Sequence, residues 1–299
     1  CGARPRALPV PGATLPGVCY LRDATDIARI KQRVSAGGNA VVIGGGYIGL
    51  EAAATLRKLD MQVTVVEAQD RVLQRVTTPL ISKFFTRLHT EQGVSVLCAS
   101  GVDAIVGDTE VQGVALGGGE VIPADLVIVG IGVLPNTELA EAADLAVDNG
   151  IRVDAFGRTN DASIYASGDC ANGEHAHYGL SMRLESVQNA NDQGLTVAKS
   201  INGDNVAYAA LPWFWSDQYD VKLQIAGLTQ GFDRQVVRGD SSNGRKFAVF
   251  YLKGNTLLAV DAINSPKEFV GSKKLILERA QMNAESLANP EIALSDCLL

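Results

Sequence analysis

From residue 39 onward, short apolar runs alternate with stretches of helical periodicity. Asn39 to Ile43 is an apolar run, glycines follow, and a helical stretch extends from about Ile48 to Leu59. Gln62 to Glu67 (QVTVVE) is a second, β-branched run, Leu80 to Thr90 reads as another helix, and Val94 to Leu97 as a third strand. Strands alternating with helices of this length predict βαβ units on a parallel sheet. Residues 103 to 122 break the rhythm with short strands and turns at Gly107-Asp108 and Gly117-Gly118-Gly119, which predicts a meander over the sheet. Leu126 to Val129 then reads as a buried strand, closed by Gly130 and Gly132.

A second α/β piece covers about 135 to 207, with a strand expected at Ser163 to Ala166 and a helix from about Glu185 to Asn202. After Pro212 the texture changes. Val221, Leu223 and Ile225 alternate, as do runs near Phe247 to Leu252 and Thr256 to Ala262, which predicts half-exposed antiparallel strands. A helix is expected near Lys267 to Ala280. The fold class is therefore α/β: a doubly wound, Rossmann-like domain, a second α/β piece, and a separate carboxy-terminal α+β domain.

Composition narrows the function classes. The 299 residues suit two or three domains, and 46% hydrophobic against 20% charged residues leaves ample core material. No apolar stretch reaches the roughly 18 residues of a membrane span. A formal net charge of −7 disfavours a nucleic-acid partner. Cys1, Cys19, Cys98, Cys170 and Cys297 are scattered, with no C-x-x-C pair, which fits a reducing cytoplasm better than a disulfide framework or a zinc site. His175 and His177 form an H-x-H with no further histidine nearby, and are expected in a solvated loop rather than at a metal. The chain opens at Cys1 in a run holding Pro5, Pro9, Pro11 and Pro16, so it reads as starting inside a connecting segment.

The strongest chemical signal is AVVIGGGYIGLE, where Gly44, Gly46 and Gly49 fit G-x-G-x-x-G between a strand and a helix. The first glycine makes the tight turn, the second admits a pyrophosphate, and the third lets the helix pack closely. Glu67 ends the next strand, where a carboxylate can bind the ribose hydroxyls of the adenosine. It accepts from the 2′-hydroxyl of NAD and would repel the 2′-phosphate of NADP, which favours NADH. Arg71 and Arg75 follow closely enough to keep NADP in view. Gly132, past the strand Leu126 to Val129, is a further cofactor-binding candidate. Glu51 is expected in the first turn of the glycine-led helix, where it either complements the helix dipole or reaches the nicotinamide.

Taken together, the strings GARPRALPVPGA, YLRD, VVIGGGYIGLEAAA, DRVLQRV, ADLVIVGIGVLPNTELA, IYASGDCA, RLESVQNA and PWFWSDQYDVKLQIAGL resemble the FAD-dependent ferredoxin and rubredoxin reductases of the pyridine nucleotide-disulfide oxidoreductase class. The resemblance implies three domains: a partial FAD-binding domain (1–20 and 135–207), an NAD-binding domain (21–134) and a carboxy-terminal interface domain (208–299). The family's first segment, with its own glycine motif for the AMP half of FAD, has no counterpart in these 299 residues. The chain is accordingly expected to lack the amino-terminal FAD-binding segment.

The same resemblance implies roles for individual residues. Gly168 and Asp169 match the motif that binds the ribityl and phosphate part of FAD, and Arg22 matches an arginine that reaches FAD. Glu185, Ser186 and Val187 match the start of a helix facing the flavin pyrimidine edge. Trp215 matches a tryptophan packed beside the isoalloxazine, with Trp213 as core or interface. Electrons would pass from NADH through FAD to a small iron–sulfur protein, a ferredoxin or rubredoxin, of an oxygenase system. Arg234, Arg238, Arg245 and Lys246 are candidates for steering that acidic partner, and the carboxy-terminal sheet offers an interface for a homodimer. The alternatives are an NADH oxidase or disulfide reductase of the same superfamily, or a nucleotide-binding module without flavin activity. Against the disulfide reductase, no histidine lies beyond residue 177.

Overall fold

The computed structural model describes residues 2–299, which pack as two units. One is built of Pro5–Leu134 with the tip Asp217–Asp220, the other mainly of Pro135–Ser216 and Val221–Leu299. Along the chain, β1 (Ala3–Pro5) is followed by β2 (Val18–Tyr20), α1 (Ala24–Arg33), β3 (Asn39–Ile43), α2 (Tyr47–Lys58), β4 (Gln62–Val66), α3 (Pro79–Glu91) and β5 (Ser95–Leu97). Next come β6 (Val102–Val106), β7 (Gly113–Leu116), β8 (Val121–Pro123), β9 (Leu126–Val129) and β10 (Val133–Pro135).

The first unit is a parallel sheet of order β2-β9-β3-β4-β5, with β6, β7 and β8 as an antiparallel meander. Val41, Val42, Val65 and Val127 are fully buried, as strands covered on both faces require. After Pro5 the Pro-rich run has no helix or strand up to β2, yet Leu8 joins this core and the Ile105 N–H donates to the Pro11 carbonyl. Residues Pro5 to Tyr20, grouped by sequence with 135–207, thus pack with the nucleotide-type sheet, where β2 pairs with β9. Helix α1 buries none of its residues and is held at its start by a capping box between Asp23 and Asp26.

In the second unit the elements are α4 (Glu138–Ala142), β11 (Ile151–Val153), β12 (Ala171–His175), β13 (Leu180–Met182) and α5 (Val187–Ile201). They continue with β14 (Trp213–Gln218), β15 (Val221–Gly227), β16 (Arg234–Gly239), β17 (Phe247–Lys253), β18 (Thr256–Ile263), α6 (Pro266–Leu277) and α7 (Ala284–Ala288). The strand expected at Ser163 to Ala166 is absent. The Asp161 carboxylate accepts from the Ser163 N–H and closes a turn, leaving one bridge between Arg158 and Tyr165. The sheet here is β11-β12-β13 instead.

The carboxy-terminal sheet runs β14-β15-β18-β17-β16. Its inner strands β17 and β18 are buried on both faces rather than half-exposed, and on one face Ala248, Phe250, Val260 and Ala262 share a core with Phe269 and Ile276 of α6. Burial there includes one acid. Tyr251 O–H donates to Asp261 Oδ2 at 2.7 Å, and desolvation pushes this carboxyl up to about 7. The folded state therefore holds a proton that the unfolded chain releases near pH 4. Stability from this group is full below that pH and is lost as pH rises through about 7. An Asp261→Asn variant would recover about 4 kcal/mol of that shift above pH 7, less about 1–3 kcal/mol for burying an amide NH2. Thermal unfolding followed by tryptophan fluorescence should show a gain of roughly 2 kcal/mol at pH 8 that turns into a loss of about 1–3 kcal/mol toward pH 4, where only the cost of the buried amide is left; a pH-independent gap would refute the assignment.

Candidate functional site

At the carboxyl end of β3 the chain turns over Gly44 (φ +107°) into the N-terminus of α2. A Cβ on Gly44 would meet the Gly130 oxygen at 2.4 Å, and one on Gly49 the Gly44 oxygen at 2.0 Å. Gly46, the N-cap of α2, has nothing within 4 Å of that position. The outer two glycines thus serve packing, while the middle one leaves an open concavity at a helix N-terminus, as a pyrophosphate needs. The loop lies where β3 has β9 on one side and β4 on the other, the switch point of the sheet.

Glu67 stands just past β4. Its Oε2 accepts from the Gly45 N–H at 2.6 Å and its Oε1 from the Gln69 N–H at 2.8 Å, so the carboxylate is braced against the glycine loop. Carboxylate oxygens retain further lone pairs for ribose hydroxyls. The two neighbouring arginines part company. Arg71 donates to the Thr77 and Gln74 carbonyls and to Ser82 Oγ, and is scaffolding. Arg75 is exposed, with a guanidinium nitrogen 3.4 Å from where a Cβ on Gly132 would stand. It brings a cation to the mouth of the loop. Glu51 is the fifth residue of α2 and begins its second turn, not its first, so the dipole reading loses its basis. Arg22 follows β2, exposed, its N–H held by Asp26 Oδ2 at 2.9 Å.

In the second unit, Gly168–Cys170 is a 3-10 turn leading into β12 rather than the end of a strand. Gly168 has φ +75°, and its N–H donates to the buried Gln193 Oε1 at 2.8 Å. The Asp169 carbonyl accepts from Arg183 at 3.0 Å, and Arg183 also pairs with Glu185 at 2.7 Å. The Arg183 side chain is only 9% exposed, and its Nε is buried without a hydrogen-bond partner. An orphaned buried donor beside Asp169 is what an acceptor-rich ligand would satisfy. No pattern in the sequence marked Arg183, because burial of a cation is invisible there.

Helix α5 begins at Val187, with Ser186 as its N-cap accepting from the Asn189 N–H at 3.1 Å. Glu185 lies outside the helix, which carries no acid in its first turn, and Val187 is 61% exposed. The positive end of α5 is open. Gln188, the second helical residue, accepts from the Trp213 N–H at 3.2 Å and ties β14 to this helix. Trp213 and Trp215 are both half-buried, their ring centroids 5.5 Å apart and 33° from parallel. Trp213 also meets the Phe269 edge, with the Lys273 ammonium 4.2 Å from its ring centre. Asp169, Arg183, the α5 start and the tryptophan strand therefore form one connected group.

Two expectations fail in this unit. Arg238 is not a docking cation: it is 6% exposed and donates to the Leu287, Asn289, Pro290 and Ile292 carbonyls. His175 is not in a solvated loop. It is buried on β12 with Nε2 bonded to the Ala210 carbonyl, and desolvation lowers its pKa. Among the described residues no group of His, Cys, Asp or Glu could hold a metal ion.

The family model for pyridine nucleotide-disulphide oxidoreductases matches residues 1–194, and that for the reductase C-terminal domain matches residues 213–298. The chain belongs to the pyridine nucleotide-disulphide oxidoreductase family. Rhodocoxin reductase of Rhodococcus erythropolis is 45% identical over 294 residues, spanning 98% of this chain and 69% of that protein. Putidaredoxin reductase of Pseudomonas putida is 42% identical over 303 residues, 99% of this chain and 72% of its own length. Among solved structures of the family, the ferredoxin reductase of the CYP199A2 system from Rhodopseudomonas palustris has a TM-score of 0.95 at 42% identity, covering 100% of this chain and 74% of its own. The covalent putidaredoxin reductase–putidaredoxin complex also gives 0.95 at 42% identity, over 99% of this chain and 72% of that one.

Proposed function

We propose that this chain is the flavoprotein reductase of an oxygenase system, carrying electrons from NADH through FAD to a small iron–sulfur protein of ferredoxin or rubredoxin type. The observation that carries this reading is the match along nearly all of this chain to reductases of the ferredoxin type, with Trp213 and Trp215 side by side on β14. We assign 135–207 as the flavin-binding half and 208–299 as the interface domain. No helix among the described residues is long and apolar enough to cross a membrane. We place the reaction in the cytoplasm, where Cys19, Cys98, Cys170 and Cys297 stay free thiols.

FAD, when bound, supplies the conversion between hydride transfer and single-electron transfer that no side chain performs. The protein's part is to bind and orient. Gly46 and the α2 N-terminus would hold the NADH pyrophosphate, Glu67 the adenosine ribose, and Glu51 the nicotinamide. Arg75 adds a cation beside Gly132. Asp169 would accept from ribityl hydroxyls, with Arg183 fixing the backbone of its turn. The α5 N-terminus at Ser186 and Val187 would stabilise negative charge at the pyrimidine edge. Trp215 would shield the flavin on the side from which electrons leave.

The test is an anaerobic absorbance titration of the purified chain with FAD, then NADH, then an oxidised two-iron ferredoxin. A retained flavin band that bleaches with NADH and returns with ferredoxin is the expected result. Uptake of NADH without flavin would make the chain a nucleotide-binding module. In the same assay Asp169→Ala should weaken flavin retention by about 1–3 kcal/mol, near tenfold or more, since ligand hydroxyls lose their acceptor; unchanged occupancy would remove Asp169 from the site.

A further inference from the structure

A cavity of about 470 Å³ opens within the second unit, bordered by the turn after β12, the β17–β18 hairpin and the end of α6. Its size suits a small ligand. Leu228, Leu257, Leu258 and Ile276 give it an apolar floor, while Lys253 and Arg279 line it with two cations and no Asp or Glu does. Asp233, bonded to the hairpin at the Gly254 N–H, is outside the lining. Tyr178 also lines the cavity, its hydroxyl buried beside the Leu228 backbone. Burial pushes that hydroxyl up to about 12, so it stays a donor across the neutral range.

Arg279 is held there at a conformational cost. Helix α6 ends in a Schellman motif: the Arg279 N–H donates to the Ile276 carbonyl and the Ala280 N–H to the Leu275 carbonyl. Arg279 is the left-handed residue of this motif, with φ +51°, a position glycine fills without steric penalty. An arginine here is carried for its side chain, which donates to the His177 carbonyl at 2.9 Å beside the cavity. Because Ile276 and Leu275 already have backbone partners, these end carbonyls of α6 present less unpaired negative charge to an incoming anion.

We propose that this cavity binds an amphiphilic carboxylate, its hydrocarbon body on the leucine floor and its head between Lys253 and Arg279. The site is independent of the flavin and nicotinamide reading. Its test is calorimetric titration of the chain with octanoate and, in parallel, with octanol. Octanoate should bind saturably at one site, and octanol about tenfold more weakly or not at all. Arg279→Gly relaxes the helix end, so its thermal midpoint should hold or rise while octanoate affinity falls about tenfold. Lys253→Gln, on an exposed side chain, should weaken binding without altering the fold. Absence of saturable octanoate binding, equal affinity for octanol, or insensitivity to both substitutions would each overturn the proposal.

Discussion

Glu67→Arg should turn the chain's nucleotide preference from NADH toward NADPH by about 10³-fold, a swing of roughly 4 kcal/mol. Two effects add. The carboxylate that accepts from ribose hydroxyls is lost, and a guanidinium that attracts a 2′-phosphate replaces it. The structure adds a third consequence. Glu67 also accepts from the Gly45 and Gln69 N–H groups, so the variant loosens the glycine loop and weakens both nucleotides. Affinities from equilibrium titration should therefore show NADH falling far more than NADPH rises. An unchanged ratio would remove Glu67 from the ribose site, and an Arg75→Ala control separates its phosphate contribution from that of Glu67.

Arg238→Met should cost the carboxy-terminal domain about 3–5 kcal/mol, the range for leaving buried polar partners without their charge. The guanidinium gathers the carbonyls of Leu287, Asn289, Pro290 and Ile292 into one clamp, with the Glu268 carboxylate 3.4 Å from Nε. Removing it takes this donor from the Leu287, Pro290 and Ile292 carbonyls, while Asn289 keeps the Ile292 N–H, on a segment with little regular structure. Amide hydrogen exchange should accelerate through residues 285–297 before the β17–β18 core is affected. Arg238→Lys should recover less than half, because an ammonium cannot fork between parallel carbonyls. A variant as stable as the parent would show that the tail holds by packing alone.

Helix α2 and strands β3, β4 and β9 were legible in the sequence because their periodicity and their burial coincide. Helix α1 was not: its apolar stripe is short, Ile27 and Ile30 with Val34 just past the end, no residue of the helix is buried, and the Asp23 and Asp26 capping pair marks its start. Strand β2 is three residues long, too short for any pattern. Around Tyr165 the apolar run looked like a strand, but local hydrogen bonding by Asp161 and Thr159 spends the backbone on turns. At the site, the glycines and Glu67 were readable from their spacing between a strand and a helix, and the structure shows backbone oxygens blocking a side chain at Gly44 and Gly49. Arg183 and Arg238 were not, since a charged letter does not disclose which way its strand faces or what it meets there.

The division of labour among Gly44, Gly46 and Gly49 has a bearing on descent. Selection for a folded protein alone would preserve Gly44 and Gly49, whose side-chain positions are blocked by backbone oxygens, yet would be blind to Gly46. A lineage that kept this scaffold after abandoning its dinucleotide should lose the middle glycine first and the outer two hardly at all. Intact outer glycines with a substituted middle one would thus be the mark of a retired catalyst, and this chain, with all three in place, does not bear it.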